Sequence, residues 1–125
     1  MKLRIKGDSL RLRITPSEMR TFLEKGRIAE TIHFAASPDA RFTYALEHGP
    51  SAELNLRYER SEAAGVVPTA QARTWADGDG VGIYAAVPNG DVGLEIAIEK
   101  DWACLDKSDA DNADTFPNPQ QGATC

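Results

Sequence analysis

The chain has 125 residues, 42% hydrophobic and 26% charged, with a formal net charge of −5, which is ordinary for a globular domain able to bury a core. Two cysteines, Cys104 and Cys125, exclude a disulfide framework, and no run approaches the roughly 20 apolar residues of a membrane-spanning helix. The start MKLRIKGDS has no apolar signal segment, so a cytoplasmic location is expected.

Leu3 and Ile5 alternate with Lys2, Arg4 and Lys6; Leu10, Leu12 and Ile14 alternate with Arg11 and Arg13; Gly7-Asp8-Ser9 lies between the runs. Period-two alternation around a glycine turn predicts a hairpin with its apolar residues on one face and its cations on the other. Thr15-Pro16-Ser17-Glu18 then supplies an N-cap, a first-turn proline and a capping-box glutamate, with Met19, Phe22 and Leu23 on one helical face and Gly26 to end it. Ile32 and Phe34, then Phe42, Tyr44 and Leu46, predict two strands joined across Ser37-Pro38-Asp39. Glu30 shares the parity of Ile32, so the first of these is expected to begin late or carry a bulge.

Leu54, Leu56 and Tyr58 predict another strand, residues 61–65 a loop, and Val66-Val67 a short strand. Residues 68–76 read as a second helix, apolar at Ala72, Trp75 and Ala76, without a polar N-cap, and broken by Asp77-Gly78-Asp79-Gly80. Val81, Ile83, Ala85 and Val87 alternate, Pro88-Asn89-Gly90 turns, and Val92, Leu94, Ile96 and Ile98 alternate back. Residues 106–125 form an acidic, proline-containing tail, disordered or draped over the domain, with Phe116 the residue able to pin it.

Two stretches, 10–27 and 64–79, echo one another. Overlaying Pro16 on Pro68 sets Ile14 on Val66, Leu23 on Trp75 and Gly26 on Gly78. The expected fold is therefore α+β and β-rich. Residues 1–105 form a single globular domain of two half-repeats, 1–50 and 51–105. Each is a β-β-α-β-β unit, and together about eight strands make a compact barrel-like sheet with two short helices.

The second copy, V-V-P-x-x-x-A-R-x-W-x-D-G-D-G-V-G-I, resembles the strand–Pro–helix–G-D-x-V signature of the swapped-hairpin family of AbrB-like transition-state regulators and MazE-like antitoxins. Lys6, Gly7, Asp8, Ser9, Arg13, Ile14 and Pro16 are similar to the opening of the MazE-like branch. Family members build one unit from two chains. The resemblance thus implies a single-chain pseudo-dimer, with DNA contacts carried by Lys6, Arg11 and Arg13. The first copy departs from it, because Gly26-Arg27-Ile28 lacks the aspartate after the helix. In the second, Ala64-Gly65-Val66 stand where Arg11 and Arg13 would recur, so half of a symmetric DNA surface is missing. The whole chain also resembles a group of small bacterial proteins that open with K-G-[ND]-S and close with E-K-D-[FW]-x-C-L and D-x-[FY]-P-N-P, here residues 99–105 and 114–119. That likeness implies no mechanism.

Lys2, Arg4, Lys6, Arg11 and Arg13 are the candidate nucleic-acid or anion-binding residues, spaced to follow a phosphate backbone. The competing reading, which the net charge favours, is a solvated face paired with acids of neighbouring strands. A third possibility is masking by Asp106, Asp109, Asp111 and Asp114 of the tail. No metal and no cofactor is expected. His33 and His48 have no ligand spacing, and Asp109-x-Asp111-x-x-Asp114 lacks the glycine and closing glutamate of a calcium loop. A nucleophile–base pair has only Cys104 with His33 or His48 to draw on, so no enzyme is expected. Trp75 reads as core, while Trp102 and Phe116 are the candidate partner-binding aromatics. These residues point to a non-enzymatic protein-interaction module, antitoxin-like or orphan, as a monomer or weak homodimer. The alternative is a DNA-binding regulator using the basic hairpin.

Overall fold

The structure, a computed structural model, describes residues 1–101 and 114–116. Eight strands and two helices follow in the order β1 (Lys2–Lys6), β2 (Ser9–Ile14), α1 (Pro16–Lys25), β3 (Arg27–His33), β4 (Arg41–Gly49), β5 (Asn55–Glu59), β6 (Glu62–Pro68), α2 (Thr69–Asp77), β7 (Gly82–Asn89) and β8 (Val92–Lys100). They form two four-stranded sheets, β1-β2-β8-β7 and β3-β4-β6-β5. The strands do not close into the expected barrel. Each sheet keeps two edge strands, because local alternation encodes which face is apolar and says nothing about which edges meet.

Adjacent strands in the chain pair as antiparallel hairpins, and the two hairpins of each sheet join through a parallel pair, β2 with β8 and β4 with β6. Exchanging β1–β4 for β5–β8 converts one sheet's strand order into the other's. The hairpin registers, Lys2 opposite Arg13 and Asn55 opposite Val66, put Phe22 in the place of Trp75 and Met19 in that of Ala72. All four side chains are buried. The overlay of Pro16 on Pro68 is therefore one residue out: Pro16 opens α1, whereas Pro68 ends β6 and Thr69 opens α2.

Helix α1 carries the caps its sequence foretells. Glu18 N–H donates to Thr15 Oγ1 at 3.3 Å, Thr15 N–H donates to Glu18 Oε1 at 2.9 Å, and Gly26, at φ 80°, donates to Phe22 O. Helix α2 has no side-chain N-cap and is held by the burial of Ala72 and Trp75. The core between the sheets gathers Leu12 and Ile14 of β2, Leu46 of β4, Val67 of β6, and Ile96 and Ile98 of β8 against Phe22 and Trp75. Burying each such side chain stabilises the fold by about 1.5–3 kcal/mol.

Two strand expectations need correction. Strand β3 starts at Arg27, directly after the helix, with no late start or bulge; Phe34 lies beyond its end and is exposed. Glu30 keeps the apolar parity because its carboxylate meets the Met1 amine at 2.9 Å. Residues 62–65, expected as loop, belong to β6. Ala63-Ala64-Gly65 has weak strand propensity, and pairing with both β4 and β5 overrides it. A Cβ at Gly65 would stand 3.4 Å from Ile98, 3.5 Å from Leu46 and 3.8 Å from Leu12, ordinary contact distances at the seam between the sheets.

Candidate functional site

Strand registers place the predicted cations on the outer face of the β1-β2-β8-β7 sheet. Three rows cross it: Lys2, Arg13, Glu99 and Gly82; Arg4, Arg11, Ala97 and Tyr84; Lys6, Ser9, Glu95 and Ala86. The structure thus brings all five predicted cations together and adds residues from β7 and β8 that local sequence reading did not connect with them.

Glu99 organises the face. Its Oε1 lies 3.1 Å from Arg11 Nε and 3.5 Å from Arg13 Nε, ionic contacts whose angles make no hydrogen bond. Its Oε2 accepts from the Tyr84 hydroxyl at 2.7 Å. Burial, together with this bond to a carboxylate, pushes the Tyr84 phenol up to about 12. Gly82 makes the arrangement possible: a Cβ there would lie 2.5 Å from Ile98 O and 3.1 Å from Tyr84 Oη. Lys2 pairs with Asp101 at 3.0 Å. Arg4 and Lys6 have no ion pair among the described residues, and no hydrogen bond among those residues uses the terminal guanidinium nitrogens of Arg11 or Arg13.

Between the cations and Tyr84 the face dips into a shallow concavity of about 630 Å³, bordered by Arg4, Lys6, Arg11, Tyr84 and Glu95, with Ala97 in the middle strand. Small residues at Ala97 and Ala86 leave it unfilled. The place that corresponds on the other sheet is closed. There Arg27 and Arg57 each contact both Glu47 and Glu62, with Arg57 at 2.7 Å from Glu47 and 3.1 Å from Glu62. Ala45 and Ala64, on that same outer face, are fully buried. Hydrogen bonds from Arg57 hold the Glu47 carboxyl below its usual range, and those from Arg27 do the same for Glu62.

The other candidates fall elsewhere. Phe116 is half-buried against the core, with Lys100 Nζ 5.3 Å over its ring and its N–H donating to Asp101 O. Asp114 accepts from the Ser17 hydroxyl at 2.6 Å, so this tail carboxylate meets the start of α1 and not the arginines. Trp102, Cys104, Asp106, Asp109 and Asp111 lie outside the described residues. Lys100 is almost fully buried and donates to Gly78 O at 2.7 Å; burial lowers its pKa against the pull of Asp79. His33 is exposed at the end of β3. His48 bridges the helices: Nε2 donates to Leu23 O at 3.2 Å, Nδ1 shares a hydrogen bond with the Thr69 hydroxyl at 3.0 Å, and the ring stands edge-on to Phe22. Both nitrogens are thereby committed to structural hydrogen bonds. Among the described residues no three His, Cys, Asp or Glu side chains gather to hold a metal ion, and no helix is long and apolar enough to cross a membrane.

Tyr84, Glu95, Glu99 and Gly82 are the site residues that the sequence reading missed. Parity alone puts Tyr84 and Glu99 on the outer faces of their strands. Only the parallel pairing of β2 with β8 brings them to the arginines.

These features define a class: a β-rich protein of two four-stranded sheets and two short helices, with one outer face cationic and open. The chain belongs to the family of unknown function DUF7009, whose model matches residues 1–120. No curated protein and no solved structure matches it.

Proposed function

We propose that this chain is a non-enzymatic module that binds nucleic acid on the outer face of the β1-β2-β8-β7 sheet. One observation carries the reading. That face leaves Arg4 and Lys6 unpaired among the described residues beside an open concavity, whereas the corresponding face of the other sheet is filled by a self-neutralising quartet. Among the described residues, phosphates would displace no ion pair to reach Arg4 and Lys6 and no hydrogen bond to reach the terminal nitrogens of Arg11 and Arg13. Glu99 holds those two arginines in place at the Nε side. The exchange symmetry of the strand order supports the accompanying scaffold reading, a duplicated swapped-hairpin unit within one chain.

Fluorescence anisotropy with a labelled oligonucleotide across a salt series tests this. Binding should weaken steeply with salt, and Arg4→Glu/Lys6→Glu should lower low-salt affinity by at least about tenfold without lowering the unfolding midpoint. Affinity that does not respond to salt, or a double variant that binds as well as the wild type, sinks the reading.

A second reading, a protein-interaction module, rests on the far end of the other sheet. There Ile32, opposite Phe42, is 47% exposed and Phe34 is 68% exposed. Sedimentation that depends on concentration, and is abolished by Ile32→Asp/Phe34→Asp, would make a second copy of the chain the partner.

A further inference from the structure

Resting on the nucleic-acid reading above, we infer that the concavity takes unpaired bases, with Tyr84 as the stacking platform and Arg4, Lys6 and Arg11 as the phosphate holders, so that the preferred ligand is single-stranded. Tyr84 is an aromatic side chain 58% exposed on a sheet face, outside the core whose packing would call for a ring. Its hydroxyl is tied to Glu99 at 2.7 Å, which fixes the ring, and Gly82 is the residue that gives that hydroxyl room. The tether and its glycine make the ring a built feature of the face.

Spacing fits the assignment. Arg11 and Tyr84 sit on either side of Ala97, two strands apart, which is roughly 10 Å between backbones. The two side chains rise on the same face with only an alanine between them. A flat ring laid on Tyr84 then leaves its phosphate toward the guanidinium of Arg11 and toward Arg4 beyond it. Glu95 argues against a long phosphate track. It lies across from Ser9 in the row of Lys6 and puts a carboxylate on the β8 side of the concavity, so phosphates are confined to the β1–β2 side. A duplex offers phosphates to such a face but no base surface, since its bases are stacked on one another. Sheet-borne aromatics beside cations hold strands whose bases are free.

The test compares a labelled 12-nucleotide single strand with a hairpin duplex of the same composition, against wild type, Tyr84→Ala, Tyr84→Phe and Arg4→Glu/Lys6→Glu. The single strand should bind wild type more tightly than the duplex. Tyr84→Ala should weaken the single strand roughly tenfold and leave the duplex unchanged. Tyr84→Phe, which keeps the ring and loses the tether, should stay within about threefold of wild type. The inference is overturned if the duplex binds at least as well, or if Tyr84→Ala binds the single strand like the wild type. In either case loss of binding in Arg4→Glu/Lys6→Glu would leave the broader nucleic-acid reading standing. Absence of any salt-dependent binding removes both.

Discussion

The outer faces of the two sheets start from the same strand order and reach opposite electrostatic ends. On β3-β4-β6-β5, two arginines meet two glutamates, each of these four has at least two ion-pair partners, and the alanines below are sealed from water. On β1-β2-β8-β7 a single, partly buried glutamate serves two arginines, and Arg4 and Lys6 remain unpaired among the described residues. Glu47 and Glu99 occupy corresponding places beside an arginine. What separates the faces is Glu62, which has Ser9 as its counterpart, and Arg27, which has Gly82. One face is finished as structure, and the other is left with charge to use. The helices diverge as well: α1 is capped by its own sequence, while α2 depends on what it buries.

The equivalence beneath this contrast is open to measurement. Phe22→Ala and Trp75→Ala should each cost about 3–5 kcal/mol in urea unfolding, because each ring anchors its helix in the one shared core. A cost below about 1 kcal/mol for either would show that the halves do not contribute alike. Next in size, Gly82→Ala should cost about 1–3 kcal/mol, since its methyl meets the Ile98 carbonyl, and should free the Tyr84 hydroxyl from Glu99. Gly65→Ala meets only side-chain carbons and should stay within about 1 kcal/mol.

The turn between β5 and β6 holds Arg60 at φ 52° and Ser61 at φ 61°, and at the first of these two positions the β1–β2 and β7–β8 turns place Gly7 and Gly90. Arg60→Asn/Ser61→Gly should therefore raise stability by about 1–2 kcal/mol, read as a shift of the thermal midpoint. An unchanged midpoint would mean that the turn carries no strain.

The smallest effect concerns the quartet. Arg57 and Arg27 hold Glu47 and Glu62 below the ordinary 4.5 in the folded chain, so protonation favours unfolding. Their stabilisation is complete above about pH 4.5 and is lost as pH falls through their lowered folded values. Glu62→Gln should cost about 0.5–1 kcal/mol at neutral pH, discounted for the half-exposed arginines, and should flatten the acid limb of the stability curve. An acid limb identical to wild type would show the quartet to be energetically idle.

Much of the fold was legible where the signals are local. The cap residues of α1, the alternation of the first and last hairpins, and the outward face of the cations all follow from neighbours in the chain. Strand β6 was hidden because Ala63-Ala64-Gly65 becomes strand only when flanked on both sides. The early half of β3 was hidden because Ala29 and Glu30 make no apolar alternation. The candidate site was half legible: the cations were, since one hairpin carries them. Tyr84 and Glu99 were not, because no feature near residues 2–13 announces which distant strand will lie alongside. The same ignorance of edges turned two sheets into a supposed barrel.

The parallel pairing of β2 with β8 has a consequence for how the molecule comes into being. Ser9 waits for Glu95, so the first hairpin made is among the last to find its neighbour. During synthesis β2 and β4 each stand with an open edge while most of the chain is still to come. Contacts so distant in sequence make folding slow, because loop-closure entropy is spent before they form. A chain interrupted before β8 leaves the cationic hairpin without the glutamate that organises it.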